Sequence, residues 1–144
     1  MSCCPPNSLG YLENTYSNKG LETKYGTTDV YVSGDASSKK VVLMIPDVYG
    51  WNGGRMRAIA DYFGDAGYLA VVPKLLQPAF NAADGDADGL PGNFDWATQT
   101  GDFASYMLTL PWEGSLKSRI ESVLTHIKGL GDNSIFMTGC CWGN

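Results

Sequence analysis

Two continuously apolar runs with an amphipathic segment between them constrain this chain most. Val41–Ile45, closed by Pro46, and "YLAVVP" (Tyr68–Pro73) are both of strand length and both end at a proline. Neither alternates apolar with polar residues, so both faces of each strand need cover, as in a parallel sheet. Between them, "RMRAIADYFGDA" (Arg55–Ala66) sets Met56, Ile59, Ala60 and Phe63 at helical spacing, with Gly67 as the stop. Strand, helix and strand with short connections make a βαβ unit, because a parallel neighbour can be reached only by a crossover.

The pattern extends in both directions. "TTDVYVSG" (Thr27–Gly34) alternates and is β-branched, and predicts a strand ending at Gly34. The first 20 residues, with Pro5, Pro6, Asn7, Ser8, Gly10 and Asn18-Lys19-Gly20, read as an extended leader over the surface. A helix is expected over Trp96–Leu110 in spite of Gly101. A stronger one spans Leu116–Ile127, with Leu116, Ile120, Val123, Leu124 and Ile127 on one face. "SIFMTG" (Ser134–Gly139) predicts a third short apolar strand. There is no internal repeat, and 144 residues suit one domain of the α/β class over 1–144.

Charge narrows the function. Ten Lys and Arg stand against 15 Asp and Glu, for a net charge of −5. That balance opposes nucleic acid or an anionic membrane as the main partner, since both are met by basic patches. No apolar run is long enough to cross a bilayer. "MSCCPPNSLG" lacks the basic-then-apolar layout of a secretory signal. The four cysteines form two adjacent pairs, Cys3-Cys4 and Cys140-Cys141, which suits neither zinc spacing nor a disulfide framework. Reduced thiols in a cytoplasmic protein are the expectation.

"TGCCWGN" (Thr138–Asn144) is the chemically loaded stretch. It matches G-x-nucleophile-x-G, with Cys141 at the nucleophile position and Gly139 and Gly143 flanking it. A nucleophile on a sharp strand-to-helix turn has a strained backbone, and the chain passes so close that the residues two before and two after must be small. The N–H of Trp142 would face the oxyanion of a tetrahedral intermediate. A following helix would favour the thiolate. A buried cysteine in an ordinary tight turn has the same pattern, so the motif gains weight from its place after an apolar strand.

Three stretches, in this order, resemble the dienelactone hydrolase family of the α/β-hydrolase superfamily: "MIPDVYGWN", "RMRAIADYFGDAGYLAVVPKLL" and "TGCCWGN". The paired Cys and Pro of "SCCPP" are also similar to the leader of eukaryotic members. The resemblance covers essentially the whole chain, and implies the part of a three-layer α/β-hydrolase sandwich that runs up to its nucleophile elbow. It implies that Cys141 forms an acyl-enzyme with a small-molecule ester or lactone. Asp47 would stand where the family has a glutamate that orients the thiol, and the Val48 amide would join Trp142 in the oxyanion hole. Lys74 after Pro73 and Asn144 after Gly143 depart from the family pattern. No Lys or Arg lies between Lys74 and Lys117, so selection of an anionic lactone is not expected.

In this fold the triad acid and histidine follow the nucleophile along the chain. Three residues follow Cys141, and the one histidine, His126, precedes it, placed to face solvent or cap its helix. The chain is therefore expected to be a fragment, inactive alone, with Ser134–Thr138 as a bare sheet edge open to self-association.

The acidic loop "DGDADGLPGNFD" puts Asp84, Asp86 and Asp88 at positions 1, 3 and 5, Gly89 at 6 and Asp95 at 12, similar to a calcium-binding EF-hand loop. Asp95 in place of a bidentate glutamate, Pro91 and the poor flanking helices favour an ordinary acidic surface loop, with no cofactor or metal. Two functions follow: a hydrolase acting through Cys141, or a non-catalytic α/β domain that binds, sensitive to calcium through Asp84–Asp95.

Overall fold

The two apolar runs pair side by side in the computed structural model, which describes residues 15–141. The described strands are β1 (Leu21–Tyr25), β2 (Thr28–Ser33), β3 (Lys40–Ile45), β4 (Leu69–Pro73) and β5 (Ser134–Gly139). The helices are α1 (Met56–Asp65), α2 (Thr100–Leu108) and α3 (Lys117–Gly129). Strand order is β1-β2-β4-β3-β5. β3 runs parallel to β4, with Val41 opposite Leu69, and parallel to β5, from Lys40 opposite Ser134 to Ile45 opposite Gly139. β2 is antiparallel to β4 and to β1, which makes the sheet mixed.

Alternation of side chains across the pleat divides the apolar residues between two layers. Val41, Leu43, Ile45, Leu69 and Val71 pack with Ile120, Val123 and Ile127 of α3. Val42, Met44, Ala70 and Val72 pack with Met56 and Ala60 of α1. Helix, sheet and helix thus form the expected three-layer sandwich. Residues such as Val41, Leu43, Leu69 and Val71 are at most 1% exposed, and burying each contributes roughly 1.5–3 kcal/mol. β5 has less cover: Phe136 and Met137 stay 53% and 59% exposed.

The structure adds one strand to the sequence reading and moves the start of one helix. β1 was hidden by its charge: four of the five residues in "LETKY" are exposed, and backbone pairing to β2 holds it in the sheet. α2 begins at Thr100 instead of Trp96, because Asp95 accepts from the Ala97 N–H at 2.9 Å and the Thr98 hydroxyl at 2.6 Å and turns the chain first. His126 lies half-buried in the last turn of α3, and its ring stacks on Tyr25 at 4.1 Å and 17°.

The end of the leader is tied down from residue 19. The Lys19 N–H donates to Asp61 Oδ2 at 2.8 Å and the Gly20 N–H to the Tyr31 hydroxyl at 2.7 Å. The leader's first 14 residues, Cys3 and Cys4 included, lie outside the described residues. No helix among the described residues is long and apolar enough to cross a membrane.

Candidate active site

The parallel pairing of β3 with β5 brings the two sequence-predicted site segments to one sheet edge. Ile45 is opposite Gly139, so the chains leaving these strands carry Asp47 and Cys141 off side by side. Cys141 has φ +54°, and is one of three non-glycine residues with left-handed backbone among the described residues. That conformation costs a side-chain-bearing residue roughly 1–2 kcal/mol. It is the strain expected of an elbow nucleophile. Cys140 and Cys141 are both exposed. Trp142 and Gly143, read as oxyanion donor and elbow glycine, lie outside the described residues.

Pro46 ends β3 and the chain turns at once. The Asp47 carboxylate accepts from the Tyr49 N–H at 2.9 Å, and the Asp47 carbonyl accepts from the Gly50 N–H at 3.0 Å. Asp47 is half-buried; burial raises its carboxyl above the usual range, against the Tyr49 hydrogen bond. Its charge reaches the elbow: the Cys140 thiol is pushed up first by burial and then by Asp47. Val48 is 6% exposed. Its carbonyl accepts from the Leu90 N–H at 2.8 Å, and among the described residues its own N–H donates to no acceptor.

The acidic loop packs against this turn. Asp88 is 3% exposed, and its carboxylate accepts from the Trp51 N–H at 2.9 Å and from Gln77 Nε2 at 3.3 Å. The Asp86 carboxylate accepts from Asn52 Nδ2 at 2.8 Å and pairs with buried Arg57 at 3.3 Å. Asp95 is engaged at the start of α2, and Asp84 is exposed. Of the four carboxylates that resemble a calcium loop, Asp86, Asp88 and Asp95 therefore serve separate partners. Among the described residues no three His, Cys, Asp or Glu side chains are grouped to hold a metal ion. The contact between this loop and the Asp47–Trp51 turn was missed from sequence, where only Gly89 and Gly50 hinted at a close approach of two backbones.

A cavity of about 390 Å³ opens between these loops, lined by Tyr49, Asn52, Phe80, Asn81, Asp88 and Leu90. It adjoins Val48 through Tyr49, and its lining carries no cation. A second cavity, about 610 Å³, is walled by Glu22, Lys24, Asp29, Trp51, Lys74 and Asp86. It lies at the β1 side of the sheet, away from Cys141. Trp51 is core at 2% exposure, whereas Trp96 and Trp112 are 41% and 54% exposed.

His126 cannot serve the elbow. It stacks on β1, and β1 and β5 are opposite edges of the five-stranded sheet, four strand spacings or roughly 19 Å apart.

A mixed sheet between helical layers, with a cysteine on a left-handed turn at the end of a parallel strand, defines an α/β-hydrolase-type protein. The chain belongs to the dienelactone hydrolase family, whose model matches residues 28–144. It is 38% identical over 77 residues to the hydrolase pyvD of Aspergillus violaceofuscus, covering 52% of this chain and 30% of that protein. It is 42% identical over 52 residues to an endo-1,3;1,4-beta-D-glucanase of Zea mays, covering 36% of this chain and 17% of that protein. A candidate dienelactone hydrolase from Klebsiella pneumoniae subsp. pneumoniae superposes with a TM-score of 0.61 at 19% identity, covering 89% of this chain and 52% of that one. A dienelactone hydrolase-like promiscuous phosphotriesterase from metagenomic libraries gives 0.50 at 17% identity, covering 88% and 50%. The chain thus spans about half the length of these structures and less than a third of the two sequence relatives.

Proposed function

We propose that Cys141 is the nucleophile of a hydrolase that cleaves small, uncharged esters or lactones. The observation that carries this reading is the left-handed φ of +54° at Cys141, directly after β5 and beside the Asp47–Val48 turn. The Cys141 thiolate attacks the substrate carbonyl carbon, and the carbonyl electrons move to oxygen. The Val48 and Trp142 amides hold that oxyanion. Its collapse expels the alkoxide, which takes a proton, and leaves a thioester on Cys141. Water then attacks the thioester, releasing the carboxylic acid and the thiol.

Asp47 sits where its charge reaches the Cys140 thiol, next to Cys141, which supports a part for it in orienting the elbow. His126 stacks on Tyr25 at the far edge of the sheet, so it is not the base of this step. The uncharged substrate follows from the Tyr49–Leu90 cavity, whose one charged side chain is the acidic Asp88. An anionic substrate would meet repulsion there and no cation.

The test is stoichiometric acylation. Brief exposure to p-nitrophenyl acetate should place one acetyl group on the Cys141 peptide, and Cys141→Ala should abolish it. Acetylation spread evenly over Cys3, Cys4 and Cys140, or absent, would overturn the proposal and leave a non-catalytic family domain.

A further inference from the structure

The acidic loop that resembles a cation site has a different task, readable from what it touches. Leu90 donates its N–H to the Val48 carbonyl at 2.8 Å. Two residues earlier, Asp88 accepts the Trp51 N–H at 2.9 Å. The stretch 48–51 is therefore gripped at both ends by 88–90. The grip is close: a Cβ on Gly89 would stand 2.3 Å from the Val48 carbonyl oxygen, and one on Gly50 would stand 2.2 Å from the Asp88 carbonyl oxygen. Within the gripped turn, the Gly50 N–H bonds the Asp47 carbonyl at 3.0 Å. That carbonyl belongs to the same rigid peptide unit as the Val48 N–H, so fixing one aims the other.

We infer that Asp88 is a positioning residue: through Trp51 and the Asp47–Gly50 turn, it holds the Val48 amide where the oxyanion of the acylation step forms. The inference rests on the reading of Val48 as an oxyanion donor. Asp88 is suited to the task because its carboxylate is itself held by Gln77 Nε2, which also donates to the Ala87 carbonyl at 2.6 Å. Ring and chain contacts fix the far side, where the Phe80 N–H donates to the Gly89 carbonyl at 2.9 Å. A donor's value depends on its aim: deletion of one costs about 10²–10³ in rate, and a misplacement of about 1 Å costs up to about 10².

Two reactions of the same thiol separate aim from general integrity. Acylation by p-nitrophenyl acetate passes through an oxyanion; alkylation by iodoacetamide is a direct displacement and forms none. Both are followed at Cys141 by peptide mass in the protein that carries this chain. Asp88→Ala should slow acylation at least about tenfold while alkylation stays within about twofold. Asp88→Asn, whose side-chain oxygen still accepts from the Trp51 N–H, should keep acylation within about threefold of the parent. Folding is checked by far-UV circular dichroism, and Asp88→Ser replaces Asp88→Ala if the latter does not fold. Equal slowing of both reactions, or no slowing of acylation, overturns the positioning role alone. A parent protein alkylated at Cys141 but never acylated there overturns the hydrolase reading, and this inference with it.

Discussion

The Tyr31 hydroxyl donates to the Asp61 carboxylate at 2.6 Å, and both residues are at most 1% exposed. One carboxylate thus joins β2, α1 and the leader. Burial opposes its charge, but hydrogen bonds from Tyr31, Lys19, Ser33 and Gly20 outweigh it and lower its pKa. Desolvation of Asp61 in turn explains why this polar triad must be complete: a buried acceptor that loses a donor keeps the cost of leaving water.

Tyr31→Phe should therefore destabilise the fold by about 1–3 kcal/mol. It removes the donor to Asp61 and the acceptor of the Gly20 N–H together. Urea unfolding should show a lower midpoint with an unchanged slope. Lys19→Ala, which removes the exposed Lys19–Asp65 pair and the Lys19 side-chain contact with Tyr16, should leave the midpoint where it is.

Asp88 sets a pH dependence of the opposite sign to the usual acid. Burial pushes its pKa up to about 6, against hydrogen bonds from Trp51 and Gln77 and the charge of Lys74; Arg119 and Tyr106 also sense its charge. The folded state holds the Asp88 proton more tightly than the unfolded chain, whose aspartate titrates near 3.9. This contribution is present below about pH 4 and is lost as pH rises through about 6, on the order of 2–3 kcal/mol in all. Asp88→Asn should remove that fall from a stability profile measured between pH 4 and 7. A profile that keeps it would assign it to another group.

The Cys140 thiol should respond to Asp47. Its negative charge disfavours the Cys140 thiolate, in addition to burial. Asp47→Asn should speed alkylation of Cys140 at pH 7.5 by about two- to threefold, because the thiolate is the reactive form. Peptide mapping after timed iodoacetamide exposure reads it. An unchanged Cys140 rate would show that burial alone governs this thiol.

Gly89 and Gly85 both have left-handed φ, +71° and +73°, yet their substitution should differ. A Cβ at Gly89 meets Leu76 Cδ1 at 2.8 Å besides the Val48 oxygen, while one at Gly85 meets nothing within 4 Å. Gly85→Ala should cost only the backbone strain, about 1–2 kcal/mol. Gly89→Ala should cost more than that, since a backbone oxygen has to move. Equal unfolding midpoints for the two variants would refute the close contact of the loops.

Much of the layered core was legible because it depends on periodicity. Ser134–Gly139 appears as read, and β3, β4 and α1 fall within a residue of their expected bounds. β1 was not legible, since Leu21 is 72% exposed and the strand owes its place to backbone bonds with β2. The displaced start of α2 was within reach: Asp95 with Thr98 is a turn signal. His126 stacking on Tyr25 and Asp88 burial were not, because each depends on a residue remote in sequence.

The sequence by itself determined which segments alternate, which run apolar on both faces, and which turn has the glycine spacing of an elbow. Those are properties of neighbours along the chain, governed by backbone geometry and burial preference. The tertiary structure alone decided which segments meet. Asp88 reaches Trp51 across 37 positions, and β3 meets β5 to set Asp47 beside the cysteines. Such meetings are chosen by the closing of the sheet between its helices, where packing of the whole core outweighs the preference of any one residue.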